Sequence, residues 1–427
     1  MMQAVTRSAA AALASWTLAV VFSSSFFPDT AHARHRQESK ERTNRTIAPP
    51  AGHSTKADGE AEARLIEVYR LIGAGKTGQA LLHAEAMVKS YPHFQLAQLV
   101  YGDLLSSRSR PVRILGDVPD TTARIAAPML ADLREESHMR LKALRERPPP
   151  GTLPAQFLML SARNRHAIAV DASRSRLYLF EHTTAGLALI ADYYISLGKA
   201  GIEKLVEGDL RTPLGVYFIT NTIPVKSLKD FYGSGALPIN YPNPLDQRRG
   251  KTGSGIWLHG TPPSQYARAP KASDGCVVLA NPDLETILNT VEIRDTPVVI
   301  AQSLNWVVPH SVRPEISSFE GVLQGWRSAK SSGDLQRTLG FYASDFNSEG
   351  RDLLAWSPIV RKDIERASGR EIVLKDLSVL HWNDSSTDTM VVTFGEVVGG
   401  AVKGPKKRQY WSRQGNQWKI FFEGVIG

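Results

Sequence analysis

The sequence predicts a multidomain α+β protein: a helical N-terminal region, a β-rich central domain, and a C-terminal domain in which helices precede strands. Three observations carry that prediction. Apolar residues recur every three or four positions from Ala61 to about Arg147, then alternate from His166 onward, a change from helical to strand periodicity. Proline-bearing breaks at Pro148-Pro149-Pro150 and Val308–Pro314 interrupt the chain where neither pattern holds. From Phe319 a helical stripe of Val322, Trp326 and Ala329 gives way to alternating runs. The expected domains are 61–147, 160–302 and 317–427, and 427 residues suffice for two to four of them.

Met1 to Ala33 reads as a secretory signal. Arg7 supplies positive charge, Ala9 to Phe27 is apolar, and Ala31-His32-Ala33 is a small-x-small cleavage site. An uncleaved membrane anchor is the alternative, because the apolar stretch is nearly long enough to span a bilayer. No cysteine lies near it, so no lipid anchor is expected. Residues 34–60 are polar, charged and broken by Pro49-Pro50, the composition of a flexible linker.

Between 61 and 147, Leu65, Val68, Tyr69 and Ile72 mark a first helix that Gly73-Ala74-Gly75 ends. Gln79–Tyr91 and Phe94–Leu105 give two more, and Thr121–Arg147 another. The small-residue helix–turn–helix pattern resembles one tetratricopeptide (TPR) unit and the start of a second. A lone unit buries too little surface by itself. It is read either as a docking surface or as a helical cap on its neighbour.

His166–Val170, Arg176–Glu181, Leu187–Ile195, Gly215–Ile219 and Pro297–Ile300 read as strands. Asn281-Pro282-Asp283 is a helix start, with Asn281 as N-cap and an end near Thr290.

The chemistry concentrates between Gly255 and Asn281. Cys276 is the only cysteine in the chain and follows His259 by 17 positions. Gly255–His259 reads as a short strand and Cys276–Leu279 as a second, entered through Ser273-Asp274-Gly275. Side by side, they bring an imidazole and a thiol together beneath a loop. A thiol with the ordinary pKa of about 8.5 is only a few per cent ionised at neutral pH, so a cysteine nucleophile needs a base and the base an orienting acceptor. Gly275 lacks a Cβ, so a substrate can approach its backbone, and successive N–H groups there can hold an oxyanion. Taken singly, such residues are more often a buried thiol and a satisfied histidine. An exported chain with one cysteine forms no internal disulfide, however, and a free thiol outside the cytosol is open to oxidation, which favours a chemical reason for keeping it.

His-Gly, a loop, then Ser-x-Gly-Cys resembles the signature of the L,D-transpeptidase (YkuD) catalytic-domain family. Gly208-Asp209-Leu210-Arg211-Thr212-Pro213-Leu214-Gly215-Val216-Tyr217 resembles its Gly-Asp…Thr-Pro-x-Gly-x-Tyr segment, and Tyr232-Gly233…Asn240-Tyr241-Pro242 is similar to its YafK-like branch. The resemblance spans about 160–302. It implies Cys276 as nucleophile, His259 as base, the Gly260 carbonyl as orienting group, and the N–H groups around Asp274, Gly275 and Cys276 as oxyanion hole. Asp274 stands where many members carry His, and Val278 where many carry Arg or Asn. Ser273, Tyr232, Gly233 and Arg211 are the expected substrate-binding residues. Arg211 and Lys271 compete, as carboxylate ligands, with a reading as solvated charges, and Phe231 suits packing as well as it suits a groove wall.

In the C-terminal region Leu335–Ser344 and Ser357–Glu365 read as further helices, and Ile372–Leu380, Thr389–Val398, Lys407–Arg413 and Trp418–Val425 as strands. Helices followed by a meander resemble the NTF2-like (Cds6-type) cone, a fold that does not fix function. Lys403, Lys406, Lys407 and Arg408 read as a solvated hairpin tip, with binding of an acidic polymer as the alternative.

A formal charge of +9 suits anionic surroundings such as envelope polymers or membrane faces. Nucleic acid is the rival reading, and no fold signature supports it. The histidines form no His-Glu-x-x-His motif and there is no cysteine cluster, so no metal or other cofactor is expected. The resemblance implies a periplasmic cysteine acyltransferase that acts on peptidoglycan stem peptides in cell-wall remodelling. A thioacyl-enzyme on Cys276 would pass to an amine, which is L,D-transpeptidation, or to water, which includes release of a bound protein. Two other readings stand beside it. One is a catalytically silent envelope scaffold docking envelope proteins through its helical and NTF2-like regions, and the other is a cysteine peptidase acting on protein.

Overall fold

A computed structural model describes residues 59–426. The secretory-signal reading of 1–33 lies outside the described residues, as does the linker reading of 34–60 except for its last two positions. Among the described residues no helix is long and apolar enough to cross a membrane.

Helices Glu60–Gly73, Thr77–Ser90 and Gln95–Ser106 pack one on the next and bury Leu65, Val68, Ala80, Ala84, Leu96 and Val100 at the expected spacing. A short helix, Asp120–Ile125, and a longer one, Ala127–Arg145, follow. The array caps the central domain. Buried Glu62 accepts hydrogen bonds from Arg140 at 2.8 Å and from Arg176 at 2.6 Å, and the Arg140 guanidinium lies 3.9 Å from the centre of the Tyr194 ring. Tyr266 of the central domain stacks on Phe94 at 4.4 Å and meets Tyr91 edge-on at 5.5 Å. Of the two readings of this region, the cap is the one these contacts describe.

This junction contains a titratable group in an unfavourable place. Asp283 is buried facing Glu62, and burial, followed by the Glu62 charge, pushes its carboxyl from the ordinary 3.8 up to about 7, against the pull of Arg140 and Arg176. A folded-state pKa above the unfolded one means that ionisation costs stability. The cost is absent below about pH 4 and complete above about pH 7. Asp283→Asn is therefore expected to raise Tm by several degrees near pH 8 and to leave it unchanged near pH 4. Thermal unfolding at both pH values checks this, and equal shifts would show that charge is not the cause.

The five strands expected in the centre form one sheet in the order Gly186–Tyr194, Arg176–Thr183, His166–Asp171, Pro297–Ala301, Gly215–Phe218. His166–Asp171 and Pro297–Ala301 run parallel, and the other neighbours antiparallel. Successive side chains face opposite sides. Ile168, Val170, Leu177, Leu179, Val298 and Ile300 enter one core, and Ala167, Ala169, Tyr178, Phe180, Val299 and Ala301 another. The first core is closed by a three-stranded sheet of Val277–Val278, Trp257–His259 and Ala236–Pro238, and by helix Asn281–Leu288 through Leu284 and Ile287.

The second core is shared with the C-terminal domain, whose sheet contributes Leu380, Trp382, Val391, Tyr410 and Phe421. Here helices Arg313–Ser331, Leu335–Leu339 and Leu353–Ala367 precede an antiparallel meander of Ile372–Asn383, Asp388–Val398, Lys406–Gln414 and Gln417–Val425. Trp326 is fully buried beneath it. A fifth strand comes from elsewhere: Phe157–Met159 pairs antiparallel with Ile372–Asn383. A domain boundary at 160 leaves this run outside, because three residues are too few for periodicity to register.

The basic run behaves differently from a solvated tip. Lys407 is buried, with its Nζ 2.5 Å from Asp363, and the buried Arg408 guanidinium lies 3.1 Å from the centre of the Phe218 ring. Lys406 pairs with Asp295, and Lys403 is exposed. Because the sheet is covered on both faces, charge pattern alone could not show which lysines are enclosed.

Candidate active site

The two strands expected to carry imidazole and thiol lie side by side in parallel, Val277 opposite Leu258 and Val278 opposite His259. Leu258 and Val277 are anchored in the core. His259 ends its strand and Cys276 immediately precedes its own; because the pair is parallel they do not meet at one end as expected, and the register sets Cys276 opposite Trp257, two positions back from His259.

The His259 ring is buried, and its Nδ1 lies 2.7 Å from the Gly260 carbonyl oxygen. A carbonyl only accepts, so Nδ1 carries the hydrogen and Nε2 keeps its lone pair as the acceptor. Burial pushes the imidazole down to about 4; the Gly260 carbonyl opposes this and the Arg268 charge adds to it. Tyr232 meets the ring edge-on at 5.1 Å and Phe231 lies 6.1 Å away.

Cys276 is partly exposed, and its thiol donates to the Gly255 carbonyl at 3.5 Å. Burial pushes the thiol up to about 11; the Trp257 N–H, Arg268 and Lys204 pull it down, and Asp274 raises it. At rest the thiol and the imidazole are therefore both neutral, each held by a backbone carbonyl of its own.

The turn that presents Cys276 is braced from within. The Ser273 hydroxyl, 2% exposed, donates to the Cys276 carbonyl at 2.6 Å and accepts the Gly275 N–H at 3.1 Å. The structure thus commits Ser273, expected as a substrate ligand, and one of the expected oxyanion donors to the turn itself. Gly275 has a φ of 125°, and a Cβ there would lie 2.8 Å from the Arg211 carbonyl oxygen. Only glycine fits this position. The Asp274 carboxylate is exposed and paired with Lys199 at 2.9 Å. Arg211 donates through its guanidinium to the Ile202 carbonyl at 2.9 Å, and Lys271 is exposed. The neighbouring loop is tied by Asp209, which accepts N–H groups from Leu205, Val206 and Arg211 and pairs with Lys204; these contacts hold its carboxyl at about 2.

Two residues that sequence reasoning did not assign to the site stand at its centre. Asn281 begins its helix instead of capping it, since Ala280 is the N-cap. Its Oδ1 accepts the N–H groups of Ser234 at 3.0 Å and Thr261 at 3.1 Å, and its Nδ2 donates to the Thr261 carbonyl at 2.9 Å. This clamp fixes Gly260, whose N–H donates to the Tyr232 carbonyl at 2.9 Å. A Cβ on Gly233 or Gly260 would come within 2.1 or 2.0 Å of the Asn281 Oδ1. The second residue is Arg268, buried in the loop between His259 and Cys276 and resting on the Phe231 ring at 4.3 Å. Its only sequence signal was a cation inside that loop.

Residues 165–300 match the family model for the L,D-transpeptidase catalytic domain (YkuD), and residues 318–424 match that for the Cds6 C-terminal NTF2-like domain. Among solved structures, Bd1075 of Bdellovibrio bacteriovorus is similar at 26% identity and a TM-score of 0.54, covering 64% of this chain and 98% of its own. The helical cell shape determining protein Pgp2 of Campylobacter jejuni shares the fold at 21% identity and a TM-score of 0.50, covering 68% and 99%. A search of curated proteins gave no match. The central domain of this chain is thus an L,D-transpeptidase (YkuD) catalytic domain, followed by a Cds6-type NTF2-like domain.

Proposed function

We propose that this protein is an exported, periplasmic cysteine acyltransferase of peptidoglycan stem peptides. The observation that carries the reading is the His259 imidazole, held by the Gly260 carbonyl with Nε2 free, on the strand beside the one Cys276 opens. The family of the central domain acts on such peptides. Cys276 Sγ attacks the amide carbonyl that follows a diaminopimelate residue while His259 Nε2 takes the thiol proton. The developing oxyanion accepts the Asp274 and Cys276 N–H groups. His259 then gives its proton to the leaving amine and the carbon–nitrogen bond breaks, leaving a thioacyl-enzyme. An amine or water, deprotonated by His259, attacks in turn and frees the thiol. The setting we propose is cell-wall remodelling; the Campylobacter protein of the same fold is named for helical cell shape.

A silent scaffold is the second reading, and the neutral thiol bonded to the Gly255 carbonyl favours it. Mass spectrometry of the mature protein with tetrapeptide muropeptides and with protein-linked muropeptides separates the two. Wild type is expected to give a new cross-link, terminal D-Ala exchange or release, or a hydrolysed stem, together with a thioacyl adduct on Cys276. Cys276→Ala is expected to give none of these. Absence of every product and adduct from wild type would leave the scaffold.

A further inference from the structure

Arg268 is 6% exposed, yet among the described residues its guanidinium makes no ion pair. Its partners are the Phe231 carbonyl at 3.2 Å and the Phe231 ring at 4.3 Å. A guanidinium offers five N–H donors in a planar fork whose natural partner is a carboxylate. None of the Arg268 nitrogens is both sealed from solvent and unpartnered, so the donors that Phe231 does not use still reach solvent. The Phe231 ring on which the guanidinium rests lies 6.1 Å from the His259 ring, which places the cation beside the site. A buried cation with no ion-pair partner is costly to keep. The fold nevertheless fixes this one firmly: the Tyr194 hydroxyl donates to the Arg268 carbonyl at 2.9 Å, and Tyr266, two residues earlier, is lodged against Phe94 and Tyr91.

We propose that Arg268 is the carboxylate-binding residue of this site, taking an acid group that flanks the scissile amide of the substrate. The half-exposed Phe231 ring, 47% exposed, lies 4.3 Å from the guanidinium carbon and, with its carbonyl, positions the fork. The proposal rests on Cys276 as nucleophile and adds what the substrate must carry beside the bond that breaks. A guanidinium acting on the thiolate itself would behave differently, because it would favour neutral and anionic reagents alike.

Cys276 is the only cysteine, so its alkylation reads the site directly. Iodoacetate carries a carboxylate and iodoacetamide does not. In Arg268→Gln the rate with iodoacetate is expected to fall about tenfold relative to wild type, while that with iodoacetamide stays within about twofold. Arg268→Lys is expected to recover part of the loss, and the melting temperatures of both variants show whether they fold. Equal falls for the two reagents, or no change in either, overturn the proposal. A second arm uses stem tetrapeptides with a free terminal carboxylate or its carboxamide. Wild type is expected to favour the free acid through KM, and Arg268→Gln to erase that preference with kcat little changed. A wild type without preference overturns the proposal. If wild type turns over neither peptide, the acyltransferase reading fails, and the alkylation result still decides the role of Arg268.

Discussion

His259→Gln is expected to lower kcat/KM at neutral pH by about three orders of magnitude, within the range of a lost general base. Glutamine is close in size and its amide can still donate to the Gly260 carbonyl, so the fold should persist. What disappears is the acceptor for the thiol proton. With burial holding the thiol at about 11, only about one molecule in ten thousand is thiolate at pH 7 without assistance. The same arithmetic predicts a rescue. Activity of the variant should climb about tenfold per pH unit toward pH 10, as hydroxide does what the imidazole did. Wild type should stay level through neutrality and fall only near pH 4, because burial pushes His259 down to about 4 and the base form survives in mild acid. A pH–rate profile of both proteins checks this, and a variant that merely parallels wild type would remove His259 from the role of base.

Asn281→Ala is expected to be nearly as damaging, although Asn281 touches no reacting atom. The substitution strips partners from the Ser234 and Thr261 N–H groups and from the Thr261 carbonyl. Buried N–H groups left unsatisfied cost about 1–3 kcal/mol each, so a loss near 3 kcal/mol in stability is expected. The larger effect falls on catalysis. Gly260 and Thr261 would be freed to move, and with them the carbonyl that selects the His259 tautomer. A fall in kcat of about a hundredfold with little change in KM is expected, as for misplacement of a catalytic group by about an ångström. Thermal melts and steady-state kinetics measure the two losses separately. A melt shifted as expected with kcat intact would make Asn281 purely structural.

The three-part plan was legible because each part has its own periodicity. His259 and Cys276 stood out in the sequence because both are chemically distinctive types at the ends of short strands. Asn281 was misread for a physical reason. Asn-Pro-Asp is a true helix start, and the helix does begin there, but the side chain serves partners 20 and 47 residues away, which no local pattern records. Arg268 was passed over in favour of Arg211 and Lys271 because sequence gives charge without enclosure. The structure leaves Lys271 exposed, ties Arg211 to a loop carbonyl, and buries Arg268. Lys407 and Arg408 were obscured in the same way.

The strand Phe157–Met159 bears on how such a chain is rearranged over evolutionary time. It precedes the catalytic sheet in sequence yet completes the edge of the C-terminal one, and the adjoining Leu153–Pro154 pairs with Trp306–Val307. A cut at the apparent joint between 302 and 317 would bare the edge of Ile372–Asn383 on one fragment and strand Phe157 and Leu158, both buried, on the other. The two domains are dovetailed and cannot travel as separate cassettes. A recombination event that replaced the C-terminal half would have to bring its own counterpart of 153–160, inserted upstream of a catalytic domain it does not otherwise touch in sequence.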